Sequence, residues 1–375
     1  MINCNYHIRY GGKLSLNTTD PSTTSSFRNK VLCFLAALLL AVLTIFAVFK
    51  GGGISVGELA SSIRDASPPC LILSVSGMFG FIFFEGTALT VIVRSLGYPA
   101  KHRRGFVYSA ADIYFSAITP SASGGQPASA FFMIRDEIPA TAVMAALLLN
   151  LIMYTMAVIT FGLFALILYP EIFLHFSPLC KVFILIGIIT LTALALGFYL
   201  LMRKQQLLQR LALGMASLLD RLHCHRLAGR IRHKLDDALE EYRQCVDLIF
   251  VKRKMLLQVY LLNLLQRLSQ LLVTVFTFLA MHGNPARLMK LFATQIYVVL
   301  GSNSMPVPGA MGVADYLMIN GYMELMTKEQ AYRLEILSRG LSFYTCMILS
   351  MIVTGIGYLL LKKNTRGNNK NDRGL

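Results

Sequence analysis

Arg267 stands midway along an apolar, leucine-rich run at 255–281. A charge at mid-helix in a bilayer costs roughly 2.5–3.5 kcal/mol on insertion scales, so one found there is a functional candidate. Around it Asn263, Gln266, Gln270, Thr274 and Thr277 recur at three- and four-residue steps. On a helix that spacing makes one polar face, which must turn toward protein rather than lipid. Two chemistries fit. A guanidinium is a planar fork of donors suited to a phosphate; the same stripe could equally be hydrogen-bond glue between helices. Glu85, about two thirds of the way along the run 70–93, is the acidic counterpart. A buried Glu85–Arg267 pair is expected, with a structural and a working role both open. Asp112 and Asp315 are further candidates, Asp315 with a simple helix-capping role as its alternative.

These side chains need elements to hold them. The stretch Thr119-Pro-Ser-Ala-Ser-Gly-Gly-Gln-Pro127 separates apolar runs at 106–119 and 128–134. Each is shorter than the ~20 residues a spanning helix needs, and Pro and Gly between them stop a continuous helix. Irregular backbone at membrane depth survives only inside protein or against a wet cavity. The expectation is a re-entrant hairpin at about 105–134, with one helix kinked at Pro120 as the alternative. The second half repeats it. Adding 186 to the numbering sets Gly97, Pro99 and Ala100 on Gly283, Pro285 and Ala286. It also sets Phe106 on Phe292, Ser116 on Ser302 and Pro120 on Pro306, with Lys101 and Arg104 meeting Arg287 and Lys290. A second broken turn follows at Val307-Pro-Gly-Ala-Met-Gly312, giving a second hairpin at about 287–325. Paired interrupted segments in two halves point to a transporter site. Backbone amides at Gly124, Gly125, Gly309 and Gly312 would open the half-helices, and helix N-termini bind anions.

The whole chain agrees with a membrane setting. It has 375 residues, 55% hydrophobic and 14% charged, with a mean hydropathy of +0.59. That composition predicts an all-α integral membrane protein. The net charge of +16 sits in loops beside apolar spans, an orientation signal, and so does not argue for nucleic acid. The seven cysteines form no CxxC, and no disulfide framework follows.

In chain order, 1–27 is polar and expected to be a disordered cytoplasmic segment. Spans are expected at 31–49, 70–93, 140–169, 182–202, 255–281 and 336–361: six spans, plus two hairpins of opposite orientation. Repeat one is 70–169 and repeat two 255–361. The stretch 203–254 holds 12 Lys/Arg against 6 Asp/Glu, with leucines at helical spacing, and reads as amphipathic cytoplasmic helices on anionic headgroups. The tail 362–375 is basic, which places both termini in the cytoplasm. His223, His225 and His233 fit no standard zinc spacing, so no metal is expected. No phosphate-binding loop, nucleophile elbow or His-Glu-x-x-His motif occurs, and no cofactor or ATP-driven step is expected.

The motif at 119–127, and Pro306-Val-Pro-Gly-Ala-Met-Gly312 with Asp315, resemble the two motifs of the lysylphosphatidylglycerol synthase transmembrane-region family. These are flippase-like proteins related to the membrane half of the multiple peptide resistance factor. The likeness covers about 30–361. Members often carry Glu where this chain has Gln126 and Asp315; the first position has lost its charge and the second keeps it. The resemblance implies lipid handling in a bacterial plasma membrane, with translocation of aminoacylated phosphatidylglycerol or a related phospholipid as the first expectation. Those implied readings add Gln126 to a substrate-binding set of Arg267, Glu85, Gly124, Gly125, Asp315, Gly309, Gly312, Asn263, Gln270 and Asp112. The alternatives are a lipid-modifying transferase of the phosphatidylglycerol lysyltransferase type, or a membrane scaffold. The full-length relative also has a soluble aminoacyltransferase domain, for which 203–254 is too short, so this chain is not expected to transfer lysine. A homodimer or a membrane-enzyme partner stays open.

Overall fold

The computed structural model describes residues 63–371, except 120, 121, 205, 208, 211, 212, 215, 216, 218–224, 304, 306–309 and 311; for 225–237 and 360–371 it describes the backbone alone. The expectations for 1–27, the span 31–49, Pro120, Gly309 and the histidine side chains at 223, 225 and 233 lie outside the described residues.

The described helices are α1 (Pro68–Ser95), α2 (His102–Ile118), α3 (Gly125–Arg135), α4 (Ala140–Leu168), α5 (Pro170–His175), α6 (Pro178–Arg203), α7 (His225–Val251), α8 (Arg253–Ala280), α9 (Leu288–Ser302), α10 (Val313–Tyr322), α11 (Lys328–Arg339) and α12 (Thr345–Asn371). No strand occurs among the described residues. Local signals set the starts. Proline opens α1, α5 and α6, where its missing N–H costs nothing. Thr327 and Gln330 form a capping box that opens α11. Helix therefore begins at Lys328, eight residues before the span expected at 336–361. A π-helical turn at Gly340–Tyr344 joins α11 to α12. Five helices are long and apolar enough to cross a membrane: α1, α4, α6, α8 and the composite Lys328–Leu359.

The repeat holds at the level of elements. Adding 186 to α1 gives 254–281, against Arg253–Ala280 for α8. The same shift takes α2 to 288–304, against Leu288–Ser302, and α3 to 311–321, against Val313–Tyr322. It takes α4 to 326–354, overlapping the composite span Lys328–Leu359. Both pairs of half-helices pack on themselves, α2 on α3 and α9 on α10. Each break contains an alanine in the left-handed region, Ala122 at φ 53° and Ala310 at φ 49°. Non-glycine residues held there store strain, typically at working sites.

The spine is the antiparallel pair α1 and α8. At one end the Ser67 amide donates to the Ala280 carbonyl at 2.8 Å. Ser74 Oγ lies 3.3 Å from Thr277 Oγ1, and Gly77 and Gly80 let the Ser269 turn approach closely. At the other end Lys252 Nζ donates to the Ser95 carbonyl at 2.5 Å. The hairpin α2–α3 begins at the Ser95–Lys252 end, and α9–α10 at the Ser67–Ala280 end. They therefore enter from opposite ends of the bundle. On α7, Leu239, Tyr242, Val246 and Ile249 are buried while Arg243 pairs with Glu240 and Asp247 on the outer face.

A tight crossing joins α1 to α2, at Gly86 and Gly105. A methyl group on Gly105 would lie 2.1 Å from Thr90 Oγ1 and 2.2 Å from the Gly86 carbonyl oxygen. Backbone cannot yield as a flexible side chain would. Gly105→Ala is expected to destabilise by about 1–3 kcal/mol through overpacking. Gly197→Ala on α6, with nothing within 4 Å of the added methyl, is expected to leave stability unchanged. Thermal unfolding in detergent distinguishes the two.

Candidate functional site

The polar stripe of α8 faces the bundle interior, and most of it is satisfied across helices. Asn263 Nδ2 donates to Asn150 Oδ1 on α4 at 3.2 Å. Gln266 Nε2 donates to Glu85 Oε2 on α1 at 3.1 Å. Thr274 Oγ1 lies 2.7 Å from Ser338 Oγ on α11. With Thr277 on Ser74, these residues are the hydrogen-bond glue that the bland reading of the stripe described.

The acidic side lies between α1, α2 and α3. Glu85 is 6% exposed; its Oε2 also accepts from Ser109 Oγ on α2 at 3.0 Å. Asp112 accepts from Ser116 Oγ at 3.1 Å and from Gln126 Nε2 at 2.7 Å. The last bond ties the two half-helices together. It requires Gly125, since a methyl group there would sit 2.0 Å from both Asp112 Oδ1 and Ser116 Oγ. An amide at 126 suits this contact. It donates to the carboxylate, whereas an ionised Glu would repel it. Gly124 caps α3, and its amide donates to Thr119 Oγ1 at 2.9 Å.

Arg267 is 2% exposed, and here the structure differs from the expected pair. Its guanidinium is not bonded to Glu85, whose carboxylate is taken up by Ser109 and Gln266. Arg267 Nη1 donates instead to Gln270 Oε1, one turn along the same helix. The guanidinium carbon lies 4.1 Å from the centre of the Tyr154 ring on α4, a cation–π contact. Tyr154 OH in turn reaches Asn303 Oδ1 at 3.5 Å, where α9 ends and the second break starts. Arg267 Nε and Nη2 have no hydrogen-bond partner. A void of about 10 Å³ adjoins Arg267, bounded by Val158, Phe161, Leu271, Ile296 and Val299. That is about the least space one water needs. The unsatisfied cation thus adjoins a small, mostly apolar void.

The second hairpin is organised by Asp315. Its Oδ2 accepts the Gly312 amide at 2.9 Å, so the capping role is real. Its Oδ1 lies 2.8 Å from Arg339 Nε, an ion contact without hydrogen-bond alignment. Arg339 is buried, stacks near Phe343 at 5.4 Å and is adjoined by buried Glu335 one turn back. Here the half-helix terminus already has its anion: a side chain of the protein.

The sequence matches the model of one protein family, described as the lysylphosphatidylglycerol synthase transmembrane region, over residues 34–350. The chain belongs to that family. No curated protein and no solved structure matches it. Membership in the lysylphosphatidylglycerol synthase transmembrane-region family and the apolar helices make this a membrane protein of a lipid-handling family.

Within that family frame, residues singled out from sequence fall into groups. Glu85, Asp112, Gln126, Gly124 and Gly125 gather in the first hairpin and its seat on α1. Asn263, Arg267 and Gln270 line α8 facing α4. Gly312 and Asp315 sit at the second break, beside Arg339. Glu335 and Arg339 were missed. Their signal was present: an acid and a base four residues apart at the edge of an apolar run, on one helix face. The span expected at 336–361 split the pair across its boundary.

Removing one partner of a largely buried ion pair leaves an uncompensated charge, at a cost of about 3–5 kcal/mol. Arg339→Gln is therefore expected to destabilise strongly. Arg333→Gln removes the exposed pair with Glu329 at 3.0 Å and should cost at most about 1 kcal/mol. Comparing their unfolding temperatures in one detergent checks the difference.

Proposed function

We propose that this protein binds the phosphate-bearing headgroup of a membrane phospholipid at Arg267 and carries it across the bilayer between the two hairpins. The acyl chains remain in lipid. The observation that carries this reading is the buried guanidinium of Arg267, with two nitrogen atoms left without partners at mid-span. A buried donor without a partner costs about 1–3 kcal/mol, more when charged, and a phosphate offers such a fork a bidentate match. The paired breaks, one in each hairpin, carry the strained alanines. Aminoacylated phosphatidylglycerol, or a related phospholipid, fits a site with acids and a base: the phosphate meets Arg267, and a headgroup amine meets Glu85 or Asp112.

In this reading the Ser95–Lys252 end faces the cytoplasm of a cell with this protein in its plasma membrane, and both termini are cytoplasmic. The basic residues Arg94, Lys101, Arg103 and Arg104 there support it. In a chain made free of native cysteines, His102→Cys is expected to label only from the cytoplasm and His175→Cys only from outside. Labelling of both from one side would remove the opposed hairpins from the mechanism.

The site itself is tested with Arg267. In liposomes containing fluorescent phosphatidylglycerol, Arg267→Lys is expected to slow headgroup movement at least tenfold, because an ammonium cannot reproduce the fork. Arg267→Leu combined with Glu85→Leu, which removes both buried charges and is shown to be folded by its unfolding temperature, should move no lipid. Normal lipid movement by that folded double variant would take both residues out of the site.

A further inference from the structure

Many hydroxyls within the helices of this protein bond the preceding turn, and others, such as Ser109, Thr274 and Ser338, bond a side chain on a facing helix. Ser74, Ser76, Thr87, Thr90, Thr155, Thr160, Thr277 and Thr294 each donate to the carbonyl four residues back. Ser350 and Thr354 on α12 do neither. Ser350 is 0% exposed and Thr354 8%; neither hydroxyl bonds a carbonyl of the preceding turn, Ser350 has only the Cys346 thiol one turn back within reach, and the Thr354 hydroxyl has no partner. Back-bonding to the preceding turn is always within reach of such side chains. Buried polar groups left unpaired mark a water, an ion or a working role.

Their position gives the role. Cys346, Ser350 and Thr354 follow one another at single turns on the buried face of α12. α12 packs along α2, and Gly357 meets Val107 there. Cys346 lies in one cluster with Ala110 and Ile113 of α2, and its thiol is within electrostatic reach of Glu85. From Glu85 the two hydroxyls therefore lead, turn by turn, toward the end of the bundle where α2 begins. The ionisable groups that face Glu85 are Asp112 from α2, Arg267 from α8 and Cys346 from α12. Two carboxylates thus share the interior with one guanidinium, and neither is in contact with it.

We propose that α1, α2 and α12 enclose a proton path, bridged by water at Ser350 and Thr354, from the end where α2 begins to Glu85 and Asp112, and that one proton accompanies each anionic headgroup. The lipid part rests on the function proposed above. A phosphate arriving at Arg267 adds negative charge beside two carboxylates, and like charges disfavour one another's ionisation. A proton taken from water at the α2 end settles on one carboxylate as the headgroup binds. It leaves to water on the opposite side with the headgroup. Proton and anionic lipid then travel together, and no net charge crosses.

The test uses the full chain in phosphatidylcholine liposomes containing a trace of fluorescent phosphatidylglycerol, with the interior one pH unit more alkaline than the bath. Quenching from outside reports the leaflet distribution. One pH unit corresponds to about a tenfold ratio for one proton per lipid, so the inner-to-outer ratio should move from one toward ten. Ser350→Ala with Thr354→Val, shown to be folded by its unfolding temperature, should approach that ratio at least tenfold more slowly. If lipid equilibrates but the ratio stays at one, or if the double variant keeps the wild-type rate, the proton path is overturned and lipid movement stands. If no lipid moves at all, the lipid reading falls. A pH dye inside the liposomes then decides on the proton path alone: acidification faster than in empty liposomes, slowed by the double variant, supports it, and acidification at the rate of empty liposomes overturns it.

Discussion

Polar groups inside a bilayer must be satisfied within the protein, because lipid offers no partners. The antiparallel pair α1 and α8 is where this chain meets that demand. Small residues on α1, Ser74, Gly77 and Gly80, let α8 come close. Close approach then lets short side chains reach across, and Thr277, Gln266 and the Ser67 amide all find partners on the facing helix. Apolar surface drives no association between helices in lipid, so packing at small residues and interhelical hydrogen bonds must do so. Other elements are seated on this pair: α2 rests on α1 through Gly86 and Gly105, and α11 meets α8 through Ser338 and Thr274.

The repeat duplicates this frame and leaves the chemistry unequal. Glu85 on α1 corresponds by the 186 shift to Leu271 on α8, and Arg267 to Phe81 on α1. The first hairpin is held by an internal amide–carboxylate bond, Gln126 to Asp112. The second is held outward, by Asp315 to Arg339 on the composite span. The first frame thus carries the acids Glu85 and Asp112, and the second carries Arg267 apart from its own Asp315–Arg339 contact. A headgroup with both phosphate and amine would meet a base from one frame and acids from the other.

How much of this was legible in the sequence follows from the range of each signal. The two broken hairpins, the five described spans and the inward polar stripe were readable because each depends on local order: apolar run length, Pro and Gly placement, and the 3.6-residue period. The partner of Glu85 was not. Depth alone suggested Arg267, but which side chain of the α8 stripe reaches a carboxylate depends on helix rotation, and Gln266 is the one turned toward α1. Ser350 and Thr354 were invisible for a related reason. Serine and threonine are ordinary in membrane helices, and only a structure shows that these two lack the backbone bond their neighbours make. Arg339 was lost to a boundary, because a capping box and a π turn extend a helix that hydropathy cuts short.

Rigidity and strain are distributed in a way that says where movement can occur. The spine is fully engaged along its length, from Ser67 on Ala280 to Lys252 on Ser95. Pulling it apart would expose several buried polar groups at once. The left-handed alanines lie instead in the two breaks, and the π turn lies beside Arg339. Residues in such backbone states cost of order 1–3 kcal/mol and persist only while their surroundings hold them. π turns recur at functional sites for the same reason. In the proposed cycle, a passage past Arg267 would open by displacement of α3 and α10 at their breaks, against the α1–α8 pair. The unpaired guanidinium supplies a reason for that opening to await an anionic group.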